Sequence, residues 1–256
     1  MSSYAVTVVM PALNEANNLV DAARNVLESF ACFGISGQLY VINDGSSDKT
    51  GELADQLALR HGNVRVIHHS LPQGIGGSFW EGVQRADGEF VVMLPGDGEN
   101  DAAEILRYLP LLEQVDIVVP FVFNRSVRSP GRRLISIIYR EIIKATFGLS
   151  LNYMNGTVMY RRTIFEGIEL QNSGFFYQSE LLIKCIRRGY LYAEVPYAIR
   201  QRIGGDSKAT RFCSLLKIVS GYLGLVKEVI SERSVPPVVS GSATARRLMR
   251  LDDETA

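Results

Sequence analysis

Apolar runs and helix-period segments alternate along the first half of the chain. Short β-branched and apolar runs fall at residues 6–10, 39–42, 64–67, 90–94 and 117–122. Between them, apolar residues return every three or four positions over about 16–33, 49–61, 77–86 and 101–113. In the first such segment Leu19, Ala22, Ala23, Val26, Leu27 and Phe30 share one helical face. Strands with no polar alternation need cover on both faces, so the pattern predicts an α/β fold with a mostly parallel, Rossmann-like sheet between helical layers.

After residue 122 the rhythm changes. A basic stretch (124–133) leads into a helix pattern over 134–147 that Gly148 ends, followed by a strand-like 157–160, a helix near 178–188 and an extended 190–203. The last long helix pattern spans 211–232, where Phe212, Leu215, Leu216, Val219, Tyr222, Leu223, Val226, Val229 and Ile230 form one apolar stripe. Lys208, Arg211, Lys217 and Lys227 flank it, and little chain remains to cover it, so packing on a core and lying in a membrane interface are both open. Residues 1–235 are read as one domain, divided near residue 123, and residues 236–256 after Pro236-Pro237 as a flexible tail.

Composition narrows the class. A chain of 256 residues with 46% hydrophobic and 21% charged residues suits a folded globular protein. Cys32, Cys185 and Cys213 stand singly, without metal or redox spacing, and fit a reducing compartment. The amino terminus enters a strand pattern directly, so no signal peptide is predicted, and no apolar run is long enough to cross a bilayer. The formal net charge of zero conceals a division: fifteen of 27 acids but six of 27 bases precede residue 114. An acidic first half and a basic second half suit a metal site in one and a phosphate or anionic surface in the other. Neutral overall charge and the lack of a nucleic-acid-binding motif argue against nucleic acid as a partner.

Candidate chemistry gathers at strand ends. The fourth apolar run passes into Pro95-Gly96-Asp97-Gly98-Glu99-Asn100-Asp101, which makes Asp97, Glu99 and Asn100 candidate ligands for a hard divalent cation, with Asn100 or Asp101 as a helix cap. The first run ends at Pro11-Ala12-Leu13-Asn14-Glu15 and the second at Asn43-Asp44-Gly45-Ser46-Ser47-Asp48. Acids after strands one, two and four would converge on one rim, where open α/β sheets bind ligands. The glycine-rich turn at 73–78 lacks dinucleotide or P-loop spacing, and Gly74 and Gly76 allow close approach either to a ligand or to a neighbouring strand. His68 and His69 have no partner at metal-ligand spacing and are read as surface or packing residues; Trp80 is read as core.

Taken in order, the segments 10–15, 43–50, 74–77, 86–90 and 96–101 resemble the inverting family 2 glycosyltransferases, which share the glycosyltransferase type A fold. The resemblance covers roughly residues 4 to 230. It implies that Pro11, Ala12, Asn14, Glu15 and Asp44 surround the base and ribose of a nucleotide-sugar donor carrying GDP or UDP. It also implies that Asp97, the second acid of an Asp-x-Asp signature, is the catalytic ligand of Mg²⁺ or Mn²⁺, aided by Glu99. The signature's first acid is Pro95 here, which cannot bind a cation.

The run 176–182 resembles the acceptor-side helix of these enzymes, with Gln178 where hydroxyl-glycosylating members carry an Asp base. An amide takes up no proton. Polyprenol-phosphate transferases of the dolichol-phosphate mannose synthase type have Gln there, and their ionised acceptor needs no strong base. The resemblance therefore implies a polyprenyl phosphate acceptor, met by Arg125, Arg128, Arg132 and Arg133 and by a basic loop with Arg202, Ser207 and Lys208. Glu180 is read as a brace for a basic neighbour. The implied setting is the cytoplasmic face of a membrane, peripherally bound or beside a membrane-embedded partner. Transfer to a sugar hydroxyl and noncatalytic nucleotide-sugar binding remain as alternatives.

Overall fold

A computed structural model describes residues 4–124, 130–154, 156–198, 212–231 and 238–255. The side chains at 130, 132, 133, 212–216, 254 and 255 lie outside that description. Strands β1 (Tyr4–Ala12), β2 (Gly37–Asn43), β3 (Val64–His68) and β4 (Gly88–Met93) alternate with helices α1 (Leu19–Phe33), α2 (Thr50–Arg60) and α3 (Ile75–Arg85). After α4 (Ala102–Leu106) come β5 (Ile117–Val122), α5 (Pro130–Phe147), β6 (Met159–Arg161), α6 (Tyr177–Arg187), β7 (Tyr192–Tyr197), α7 (Phe212–Ser231) and α8 (Ala243–Thr255).

The seven strands form one sheet in the order β3-β2-β1-β4-β6-β5-β7. Only β6 runs antiparallel to its neighbours, β4 and β5, so the expected mostly parallel sheet is observed. Alternate β1 residues feed opposite layers. Val6, Val8 and Met10 pack with α1 and α4, whereas Val9 joins Phe79 and Val83 of α3 and Leu181 and Leu182 of α6. The two prolines within the strands of the second half sit where a missing N–H is tolerated: Pro120 lies beyond the short pairing with β6, and Pro196 is on β7, the sheet's edge.

Two expectations are corrected. The helix predicted over 101–113 is broken into α4 and a 3-10 turn, Leu109–Glu113, because Pro110 cannot donate to an α-helical ladder. The tail predicted to be loose contains α8, anchored by its first turn. The buried Asp116 accepts from the backbone N–H groups of Ala243 (2.7 Å) and Thr244 (3.0 Å), and the Ser242 hydroxyl caps the Ala245 N–H at 3.0 Å. Ser242 in the Ser-Gly-Ser run is thus an N-cap rather than linker. Asp116 also holds Arg161 Nε at 3.1 Å, and the same guanidinium reaches Glu89 and the Leu112 carbonyl.

Asp116→Ala would strand the buried Arg161 charge and release the first turn of α8. The expected loss is about 3–5 kcal/mol of unfolding free energy, read from urea denaturation.

Candidate functional site

β1 lies between β2 and β4, so the chain leaves it in opposite directions on its two sides. That switch point opens a crevice at the carboxyl ends of the parallel strands. Backbone bonds carry the three loops past the strand ends in register. The Asp44 N–H donates to the Ala12 carbonyl (2.9 Å), and Leu94 and Gly96 donate to Val9 and Pro11 (3.0 Å each). A methyl at Gly96 would lie 3.3 Å from Ala12 Cβ and from Leu19 Cδ1, so glycine lets the acidic turn close against β1.

Pro11 and Ala12 are buried in the strand end, and Asn14 follows in the left-handed region at φ +55°. Asn14 Oδ1 accepts from the Ser47 N–H (2.8 Å) while its own N–H reaches Ser46 Oγ (3.0 Å). The Glu15 N–H donates to Thr50 Oγ1 at 2.9 Å, and the Ala16 N–H to Asp48 Oδ2 at 3.2 Å. Partial burial opposes the Asp48 anion, but hydrogen bonds from Thr50 and Ala16 outweigh it and hold its carboxyl below the ordinary range.

Asp97 and Glu99 follow β4 at the same rim. The Glu99 N–H donates to Asp97 Oδ1 at 3.1 Å, across Gly98 at φ +73°. Asp101 is the helix cap: its Oδ1 accepts from the Ala103 N–H at 3.1 Å and from Asn25 Nδ2 at 3.2 Å. Among the described residues no group of three or more Asp, Glu, His or Cys side chains forms a metal cage. The candidate donors named from the sequence, Asp97 and Glu99, are two carboxylates on one turn. That fits Mg²⁺ or Mn²⁺ bound jointly by carboxylate and phosphate oxygens, not a site built from protein alone.

Asp44, expected to face a base or ribose, is largely committed within the fold. Its Oδ1 accepts from His69 Nδ1 and from the Gln73 N–H (2.7 Å each), and its Oδ2 from the Gly74 N–H at 2.9 Å. His69 is thereby corrected: it is buried and bonded on both ring nitrogens, the second reaching Glu81 Oε2 at 2.6 Å. Burial opposes its positive charge, yet the hydrogen bonds to Asp44 and Glu81 win and raise its pKa above the usual histidine value. No local spacing announces this contact, because Glu81 reaches His69 from a helix twelve residues further on. His68 matches its expected surface role, half-exposed between Asn43 and Asp55.

The glycine turn packs closely against a neighbouring segment, residues 172–177. A Cβ on Gly74 would meet the Ser173 carbonyl at 2.6 Å, and one on Gly76 the Asn172 carbonyl at 2.6 Å and the Tyr177 side chain. The Gly76 N–H already donates to Ser173 at 2.8 Å. Trp80 is half-buried, edge-on to Phe165 at 5.5 Å, and lines a groove of about 330 Å³ with Gln73, Glu81, Arg85 and Asn172.

On the acceptor side Gln178 is also corrected. Its amide is buried and donates to the Tyr160 hydroxyl, so it faces the core. Glu180 is the brace it was expected to be, pairing with Lys184 at 2.8 Å and accepting from the N–H groups of Gln171 (2.8 Å) and Asn172 (3.0 Å). Arg125, Arg128, Arg202, Ser207 and Lys208, and the side chains of Arg132 and Arg133, lie outside the described residues.

The model of a protein family described as glycosyl transferase family 2 matches residues 7–168. The chain belongs to that family. A family 2 assignment makes it a glycosyltransferase, and its relatives extend the match. It is 30% identical over 214 residues to polyprenol monophosphomannose synthase of Mycolicibacterium smegmatis, covering 78% of this chain and 79% of that protein. It is 25% identical over 248 residues to glycosyltransferase AglD of Haloferax volcanii, covering 88% of this chain but 36% of that longer protein.

Among solved structures, glucosyl-3-phosphoglycerate synthase of Mycobacterium tuberculosis with Mn²⁺, UDP-glucose and phosphoglyceric acid superposes with a TM-score of 0.65 at 19% identity. The match covers 96% of this chain and 91% of that one. A structure of the same enzyme holds Mg²⁺ and UDP. A mycobacterial protein superposes with a TM-score of 0.67 at 20% identity over 88% of this chain and 75% of that one. These likenesses establish the type A architecture for this family 2 chain.

Two glycines at the rim separate the two kinds of constraint. Gly74→Ala, at φ +89° with a backbone oxygen in the way, should cost several kcal/mol, whereas Gly98→Ala, with open space around it, should cost about 1 kcal/mol for the positive φ alone. Thermal melts of the two variants check the difference.

Proposed function

We propose that this glycosyltransferase moves a sugar, with inversion, from a GDP- or UDP-sugar to a polyprenyl phosphate at the cytoplasmic surface of a membrane. The observation that carries the acceptor half is the lack of an available base among the described acceptor-side residues Gln178 and Glu180. Gln178 is an amide turned to Tyr160, and Glu180 is spent on Lys184 and on two backbone N–H groups. A hydroxyl acceptor must lose a proton as it attacks, whereas a phosphate arrives ionised. The similarity to a polyprenol monophosphomannose synthase over most of both chains supports the same acceptor class.

For the donor, the laced loops after β1 and β2 present Asn14, Glu15 and the remaining lone pair of Asp44 to the base and ribose, beside the turn that carries Asp97. Asp97 and Glu99 would hold Mg²⁺ or Mn²⁺ on the diphosphate. When bound, the cation would offset charge on the departing nucleotide. Gly98 and the Glu99 N–H fix the direction of the Asp97 carboxylate, so it is preset toward the diphosphate. Arg125, Arg133, Arg202, Ser207 and Lys208 are proposed to receive the acceptor phosphate.

The membrane half of the proposal rests on α5 and α7. Leu134, Ile135, Ile138 and Ile142 of α5 are exposed, as are Val219, Leu223 and Ile230 of α7. The two helices are joined by the Thr146–Tyr222 hydrogen bond (2.6 Å) and by Phe147 packed edge-on against Tyr222. Exposed Lys144, Lys217 and Lys227 flank this paired apolar surface, as suits anionic headgroups. No helix among the described residues is long and apolar enough to cross a membrane.

Asp97→Asn should lower sugar transfer to a polyprenyl phosphate by roughly 100-fold or more, with an unchanged melting temperature. Wild-type turnover by that variant would remove Asp97 from the mechanism. Transfer to hydroxyl acceptors alone would replace the polyprenyl phosphate. Flotation with anionic liposomes should be lost in the pair Ile138→Asp and Leu223→Asp while nucleotide binding persists.

A further inference from the structure

An ionic chain runs from the protein surface to the rim, where it ends on Asp44 of the 43–50 segment. Arg85 pairs with Glu81 (Nη2 to Oε1, 2.8 Å), Glu81 with His69 (2.6 Å) and His69 with Asp44 (2.7 Å). The charges alternate along it, and exposure falls from 57% at the Arg85 side chain to 3% at His69 and 5% at Asp44. An ionised carboxylate only accepts hydrogen bonds, so an imidazole held between two of them carries a proton on each nitrogen. His69 is fixed there from behind as well, its backbone N–H donating to the Asn43 carbonyl at 2.9 Å.

We infer that His69, as an imidazolium, is a positioning residue for donor recognition: it aims the Asp44 carboxylate at the nucleoside of a nucleoside-diphosphate sugar. The geometry gives the division of labour. Asp44 Oδ1 is saturated by His69 and by the Gln73 N–H, while among the described residues Oδ2 takes the Gly74 N–H alone, which leaves it one lone pair. A carboxylate this buried requires a compensating charge, and His69 supplies it. Glu81 sets the charge of His69 in turn, and Arg85 balances Glu81 at the surface.

The groups facing His69 are Asp44 from the end of β2 and Glu81 from α3, with Arg85 behind Glu81. On its own strand, His68 turns to Asn43 and to Asp55 of α2. Because the folded pKa of His69 lies above the usual value, its contribution is complete below about pH 6.5 and is lost as pH rises through the folded pKa.

The inference rests on the donor half of the proposed function and is independent of the acceptor. Titration calorimetry of GDP and UDP against the full chain, without acceptor, tests it. His69→Gln keeps a donor for Asp44 but no charge, and should weaken the preferred diphosphate about tenfold or more. Wild-type affinity should fall on the alkaline side, and His69→Gln should lose that limb. Glu81→Gln, which leaves His69 its Asp44 contact, should move the limb to lower pH and serves if His69→Gln does not fold.

Nitrogen-15 NMR of the imidazole should show both ring nitrogens protonated at neutral pH. An unprotonated ring nitrogen there, or wild-type affinity in a folded His69→Gln, would overturn the inference. Binding of neither diphosphate by the wild type would overturn it together with the donor reading. Diphosphate binding that obeys His69 without transfer to lipid would support it and remove only the acceptor reading.

Discussion

Parallel pairing of β1 with β2 on one side and β4 on the other is the constraint from which the rest of the site follows. Seven consecutive residue pairs join β1 to β2, and pairing to β4 runs from Tyr4 to Val9. With all three strands pointing the same way, their following loops must emerge together, and the bonds from Asp44, Leu94 and Gly96 back to β1 keep them together beyond the strands. Asp97 owes its place on the rim that also carries Asn14 and Asp44 to this backbone geometry, not to any attraction among the acids. Bringing like charges to one rim is unfavourable in isolation, and the apolar sheet beneath supplies the rigidity that holds them there.

The second half is organised around buried polar centres instead. Asp116 ties β5, Arg161 of β6 and the start of α8 into one cluster, and Glu180 joins α6 to the backbone of Gln171 and Asn172. That backbone is the surface against which Gly74 and Gly76 pack. The glycine turn and α6 are thus coupled through a few main-chain contacts at 172–174. Substitutions at Glu180 should be felt in the glycine turn, although neither position touches substrate in the proposed mechanism.

Much of the architecture was legible from periodicity. The five apolar runs became strands and the face of α1 fell where spacing put it, because burial on both sides of a parallel sheet leaves little freedom in the pattern. The acidic turn at Asp97 and the cap at Asp101 were legible because their partners are two residues away. The illegible parts are those made by distant partners. His69 meets Glu81 across a helix, Gln178 meets Tyr160 across the core, and Ser242 begins a helix that Asp116 stabilises from 127 residues earlier. The glycines at 74 and 76 announced close contact, but only packing could say with what.

Pro196 on the edge strand β7 carries a consequence for association. An exposed edge invites strand addition by another chain, and this sheet blunts both of its edges. At one end β3 is five residues long and turns Arg65 back onto the carbonyls of Gly62 and Val64. At the other, Pro196 interrupts the row of donors, and the start of α8 claims the Leu191 N–H just before β7 through Thr244 Oγ1 at 2.8 Å. Among the described residues, two copies of this chain therefore find no continuous strand edge on which to zip together.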